Sequence, residues 1–127
     1  MTARDHMGPA ESIQALFAAW ESASPEDLAD LFTADGVYQD PLKEGPLTGR
    51  DEIRDGNAAA MSAIEECRIT IGHVVADGDV GFCEGFFSSR LRDGTGRLDF
   101  PFALVVEMQG GRIARAGEYF DTRPLLA

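Results

Sequence analysis

Apolar positions in the first part of the chain recur at helical spacing. Between Ala10 and Ala23, the residues Ile13, Leu16, Phe17 and Trp20 fall at i, i+3, i+4 and i+7, on one face of a helix. The stretch "SPEDLADLF" opens a second helix, with Ser24 suited to the N-cap and Pro25 to the first helical position. Glu26 and Asp27 then sit at the positive end of its dipole. Asp35-Gly36 is expected to end that helix, and Val37 to Asp40 to form a short strand. After a loop carrying Gly45, Pro46 and Gly49, residues 50–65 read as a third helix. Ile53, Asn57, Ala60, Met61 and Ile64 share its inner face, and Gly56 weakens it a little.

From Cys67 onward the period changes to that of strands. Four runs follow, "CRITIGHVVA", "DVGFCEGFFSSRL", "RLDFPFALVVEM" and "RIARAGEYFD", separated by "DGD", "RDGTG" and "QGG". These separators are hairpin material, so consecutive antiparallel pairing is expected. In the third run Leu98, Phe100, Phe102, Leu104 and Val106 alternate onto one face. Three helices before a strongly bent, mixed or antiparallel sheet make an α+β layout, with the helices covering one sheet face. Residues 1–9 read as a loose arm, and residues 10–127 as one domain without repeats. The glycines of "GTG" and "GG" lie between strands and open no helix, so they read as turns and not as a phosphate loop.

Charge narrows the partners. Twenty-two acidic residues against 11 basic ones give a net charge of −11, which argues against nucleic acid or an anionic membrane surface. No apolar run approaches the roughly 18 residues of a membrane-spanning helix. The opening "MTARDHMGPAES" lacks the apolar core of a signal peptide, and a cytoplasmic protein is expected. Cys67 and Cys83 sit in strand-like runs and are expected to be reduced, buried thiols. No His, Cys and Asp cluster has metal-ligand spacing, so no metal is expected.

Three stretches carry a resemblance that spans about residues 10–124. "AAWESASPEDLADLFTADGVYQDP" resembles the opening helix pair and first strand of the nuclear transport factor 2-like superfamily. "LTGRDEI" resembles its entry to the third helix, and "GGRIARAGEYFD" its final hairpin and strand. That group includes ketosteroid isomerases, limonene epoxide hydrolases and SnoaL-like polyketide cyclases. The resemblance implies a cone of helices and curved sheet around one deep apolar pocket, without a cofactor. It also implies a homodimer through the outer sheet face, to which Phe82, Phe86 and Val105 would contribute apolar surface. A fold of this kind hosts many chemistries, so function is argued from the site.

Tyr38 and Asp40 have the same parity, so both side chains leave one face of their strand. The resemblance places Asp40 at the general base of the isomerases, where desolvation suits a carboxylate to proton abstraction. The other reading of Asp40 is a turn-forming Asp before Pro41. The isomerase pattern then breaks: its oxyanion-stabilising Tyr falls near Phe17 or Trp20, and its protonated Asp near Leu104. Of these, the Trp20 indole N–H is the donor that remains. Against the epoxide hydrolases, Tyr38 and Asp40 stand where a Tyr and an Asn hold water. Their Arg and first Asp fall at Gly85 and Phe87, and their last Asp at Glu118. The cyclase branch also uses an acid on this last strand. An inward Glu118 is expected across the pocket from Asp40, and two carboxylates in a dry cavity split their pKa values. Glu118 also reads as an exterior strand residue, since Ile113 and Tyr119 occupy the other parity.

Tyr38 reads as a hydrogen-bond donor to substrate or as a half-buried strand tyrosine. His73 has the parity of Ile69, Ile71 and Val75, which suits a core or interface histidine. Asn57 is a candidate polar contact, and Trp20, Met61, Phe87, Phe102, Leu104 and Phe120 are candidate apolar lining. Arg90, Arg92, Asp93, Arg97 and Asp99 read as solvated hairpin charges. The expectation is a cofactor-independent enzyme doing acid–base isomerisation or cyclisation on a small apolar oxygenated molecule, such as a polyketide, terpenoid or steroid-like compound. Asp40 would be the base, Glu118 the acid and Tyr38 an orienting donor. The alternatives are a non-catalytic small-molecule-binding or dimerisation module, and an epoxide hydrolase-like activity with an incomplete triad.

Overall fold

A computed structural model describes residues 7–123. The first six residues of the expected arm lie outside the described residues. Pro9 already belongs to the first helix, in the position where its missing N–H is harmless. The elements are α1 (Pro9–Glu21), α2 (Pro25–Asp30), β1 (Phe32–Gln39), β2 (Leu47–Thr48), α3 (Arg50–Ala63), β3 (Ile64–Asp77), β4 (Val80–Leu91), β5 (Arg97–Gln109) and β6 (Arg112–Tyr119). Ser24 caps α2 as expected, its Oγ accepting the Asp27 N–H at 3.2 Å.

Two boundaries differ from the sequence reading. The strand begins at Phe32, not Val37, so Asp35-Gly36 lies inside β1 and not at a helix end. The sheet pairing shifts register between Phe32 and Val37, which accommodates that turn-like pair. Likewise β3 begins at Ile64, three residues before Cys67, and Ile64 is buried as a strand residue.

The strands form one open six-stranded sheet in the order β2-β1-β6-β5-β4-β3. The meander β3 to β6 is antiparallel, and β1 lies parallel to β6. The helices cover one face. Ile13, Leu16 and Phe17 of α1 bury against Phe102, Leu104 and Val106 of β5 in a single core. Gly85 fits where β3 and β4 approach closely, because a Cβ there would lie 2.3 Å from the Thr70 carbonyl oxygen. Gly85→Ala should therefore destabilise the protein by about 1–3 kcal/mol in a chemical denaturation curve.

Bulges decide which side chains face the helices. In β3 an extra residue is taken up between Glu65 and Arg68, where Glu66 has φ 54°, and another between Ile71 and His73. In the last hairpin Ile113 opposes Met108 while Arg115 opposes Glu107, so Ala114 is the extra residue. Each bulge reverses the alternation. Ile113 and Ala116 consequently both point inward, which removes the ambiguity in β6. His73 turns the other way. It is exposed beside Glu84, with Nδ1 2.9 Å from Oε1, and not in the core.

The outer face carries Phe82 and Phe86, 40% and 45% exposed, together with Val75, Val80 and Tyr119. Apolar surface of this kind on one sheet face suits a second copy of the chain. Sedimentation at micromolar concentration is expected to give twice the 13.7 kDa chain mass, and Phe86→Glu to give the monomer. A wild-type monomer would count against this.

Candidate active site

The end of β1 turns sharply at Asp40-Pro41-Leu42-Lys43. The Asp40 carbonyl accepts the Lys43 N–H at 3.3 Å, with Pro41 at the position its fixed φ favours. Asp40 Oδ1 accepts the Leu42 N–H at 2.8 Å. Oδ2 accepts from Lys43 Nζ at 2.5 Å. Asp40 therefore builds the turn and also lines a cavity. Its side chain is only 6% exposed, and that of Lys43 17%.

Glu118 and Asp40 line the same cavity. The parallel register pairs Tyr38 with Ala116 and Gln39 with Gly117. Asp40 is the first residue after β1 and Glu118 the second-to-last of β6, so the parallel pairing brings both to the same end of the sheet. Burial raises the Glu118 carboxyl to about 8, the Asp40 charge adds to this, and Lys43 opposes it. At neutral pH Glu118 is thus mainly the neutral acid. The Tyr38 phenol is raised well above its ordinary value by burial, then by Glu118 and Asp40, against a hydrogen bond from the Trp20 side chain. Burial, followed by the Glu118 charge, pushes the Cys83 thiol up to about 11. Burial and Glu21 do the same for Cys67, and both thiols are free. Neither is a nucleophile near neutral pH.

The cavity holds about 540 Å³ of empty space with its open mouth included. Four aromatic rings form a continuous wall. Trp20 meets Phe87 edge-on at 6.1 Å, Phe87 stacks on Phe100 at 4.8 Å, and Phe100 leans on Phe120 at 4.4 Å. Phe17, Leu42, Ile64, Ile69 and Leu98 add apolar surface.

Trp20, Phe87, Phe120, Asp40 and Glu118 thus line the cavity, as the sequence suggested. The other candidates lie elsewhere. Tyr38 is buried behind the wall, packed on Phe32 at 6.1 Å, with Lys43 Nζ 5.5 Å from its ring centre. Phe102 and Leu104 share the inward face of β5, but α1 closes that end: Phe17 packs edge-on to Phe102 at 5.1 Å. Asn57 and Met61 of α3 are buried, and neither lines the cavity. Asn57 Nδ2 donates to the Ile53 carbonyl at 2.7 Å, and its Oδ1 has no partner among the described residues.

Lys43, Leu42 and Phe100 were missed. Phe100 was legible from its alternation with Leu98 and Phe102. For Lys43 the available signal was its spacing, since the first and fourth residues of a turn through Pro41 come together. The chemistry on offer is a carboxylate with an ammonium ion on one oxygen, beside a neutral carboxylic acid, under an aromatic wall. Among the described residues, no group of three His, Cys, Asp or Glu is arranged to hold a metal ion, and no helix is long and apolar enough to cross a membrane.

Solved structures share this architecture. A hypothetical protein with a ketosteroid isomerase-like fold from Catenulispora acidiphila, in complex with trimethylamine, is 27% identical over 89% of this chain and 87% of its own, with a TM-score of 0.80. A putative SnoaL-like polyketide cyclase from Jannaschia is 12% identical over 97% and 89%, with a TM-score of 0.79. An epoxide hydrolase of the limonene type from M. tuberculosis is 20% identical over 88% and 81%, with a TM-score of 0.74. A search of curated proteins gave no match. A family model matches residues 13–116, from the core of α1 to the inward Ala116 of β6, and the chain belongs to the SnoaL-like domain family.

Proposed function

We propose that the protein is a cofactor-independent acid–base catalyst of isomerisation or cyclisation, acting on a small apolar molecule that carries a carbonyl oxygen. Asp40 takes a proton from carbon next to the carbonyl, and Glu118 supplies a proton at a second position. Tyr38 supports the pair from behind the wall. The observation that carries this reading is that two carboxyl groups, Asp40 and Glu118, line one aromatic cavity, where burial raises the Glu118 carboxyl. Two carboxyl groups held in opposite protonation states are what a proton-transfer site requires.

The test is substrate-independent. In D2O the wild type should accelerate deuterium exchange next to the carbonyl of 2-tetralone, a small bicyclic ketone, above the buffer rate. Nuclear magnetic resonance reads this directly. An exchange rate equal to buffer, repeated across a panel of cyclic ketones and enones, would remove the reading.

A second reading is favoured by one feature: both Asp40 oxygens are already engaged, one by the turn and one by Lys43. That arrangement also suits a non-catalytic binder, and the Catenulispora protein holds a small amine. A pure apolar binder would hold naphthalene equally well from pH 6 to pH 9. An epoxide route is less favoured, because Gly85 and Phe87 put no charge where that branch needs an Arg and an Asp.

A further inference from the structure

Proton removal next to a carbonyl leaves an oxyanion, and its stabilisation is often the largest catalytic term. By the resemblance, the isomerases' tyrosine falls near Phe17 or Trp20 and their protonated Asp near Leu104, and none of these three is a phenol or an acid. The Trp20 indole packs edge-on against Phe87 in the wall. Lys43 is the cationic donor in the cavity wall, beside the Glu118 carboxyl that the acid–base reading assigns to proton supply. Its Nζ carries three N–H groups, of which one serves Asp40 Oδ2. The Tyr38 ring beneath it limits where the ammonium can go.

We infer that Lys43 is the oxyanion-stabilising residue of this site, and that its ammonium passes from Asp40 to the substrate oxygen as Asp40 takes the proton. The inference rests on the acid–base reading above.

Charge counting supports the exchange of partners. Before the step, Lys43⁺ faces Asp40⁻ and the substrate is neutral. The C–H bond breaks, and its electron pair becomes the C=C bond of the enolate. The carbonyl π pair moves onto oxygen, and the proton goes to Asp40. Afterwards Lys43⁺ faces the enolate oxygen and Asp40 is neutral. The three groups sum to zero throughout, so no uncompensated charge appears in a water-poor cavity. Asp40, already held by the Leu42 N–H, stays in place when the ammonium leaves.

The experiment reads binding separately from turnover. Asp40→Asn with Glu118→Gln fixes both carboxyl groups in neutral form, copying the site after proton removal. The probe is 2-naphthol at pH 7, a planar phenol whose anion imitates an enolate and differs in absorbance from the neutral form. The double variant is expected to hold it as naphtholate. Adding Lys43→Met should weaken that binding about 10- to 100-fold, the worth of one charge-assisted hydrogen bond, and leave only neutral naphthol bound. Lys43→Arg should retain the anion. Lys43→Gln serves as a second neutral variant, with thermal melts to verify folding. In the otherwise wild-type protein, Lys43→Met should lower kcat for 2-tetralone exchange about 100-fold with KM little changed.

Equal naphtholate binding with and without Lys43, or none in either, overturns the inference. If the wild type still exchanges 2-tetralone in that case, the acid–base reading stands without Lys43. If naphtholate binding depends on Lys43 but the wild type exchanges nothing, the cavity is an anion site, and it is the acid–base reading that falls.

Discussion

Asp40→Asn is expected to lower 2-tetralone exchange by about 10²–10⁴-fold, the usual worth of a positioned general base, while the protein stays folded. The substitution separates the two duties of Asp40. The Asn side-chain carbonyl still accepts the Leu42 N–H, and the backbone bond from Lys43 N–H to the Asp40 carbonyl is untouched. What disappears is the proton acceptor and the charge partner of Lys43. Loss of that ion pair leaves the Lys43 ammonium unpaired among largely buried groups, which should cost on the order of 3 kcal/mol. Asp40→Ala removes the turn bond as well and should be less stable than Asp40→Asn. Exchange rates and thermal melts of the two variants, taken together, read both duties. An Asp40→Asn protein that exchanges at the wild-type rate would end the case for Asp40 as base.

What the sequence made legible followed from periodicity. The apolar stripe of α1 and the alternation of β5 are local patterns, and both elements form where they were expected. The α2 to β1 junction was harder. "LADLF" is apolar enough for a helix end or a strand start, and tertiary pairing of Phe32 with Ile113 decided it. The bulges at Glu66, near Gly72 and at Ala114 have no shared composition, yet they set which face His73 and Ile113 present. Parity alone therefore left His73 between core and interface, and left Glu118 open.

Within the site, residue type identified the two carboxyl groups, but their place at the same end of the sheet depends on β1 lying parallel to β6, a pairing between distant segments. Lys43 looked like an ordinary loop charge until the turn folded it back onto Asp40. The same limit explains Phe102 and Leu104. Alternation fixes the face of a strand, whereas depth along the cavity depends on Phe17 of α1 closing one end.

Glu118→Gln should make the protein more stable and less active at once. The folded carboxyl is raised from 4.5 to about 8, chiefly by burial and then by Asp40. Between those values the unfolded chain releases its proton while the folded chain keeps it. The contribution of Glu118 to stability is therefore fully present below about pH 4.5 and is lost as pH rises through about 8. Each unit of difference is worth about 1.4 kcal/mol, so the wild type should lose on the order of a few kcal/mol across this window. Glutamine does not ionise and removes the slope. At pH 8 the Glu118→Gln protein is expected to melt on the order of 5–10 °C above the wild type, with the gap closing toward pH 5. Activity should move in the opposite direction. The neutral acid is depleted as pH rises through about 8, so wild-type turnover of an isomerising enone should fall on that limb. Glu118→Gln should be slow at every pH and lack the limb. Melting curves from pH 5 to pH 9, beside the pH–rate profile, distinguish this from a purely structural glutamate. A buried carboxyl that only fills space would give the stability gain without the loss of rate, and an exterior one would give neither.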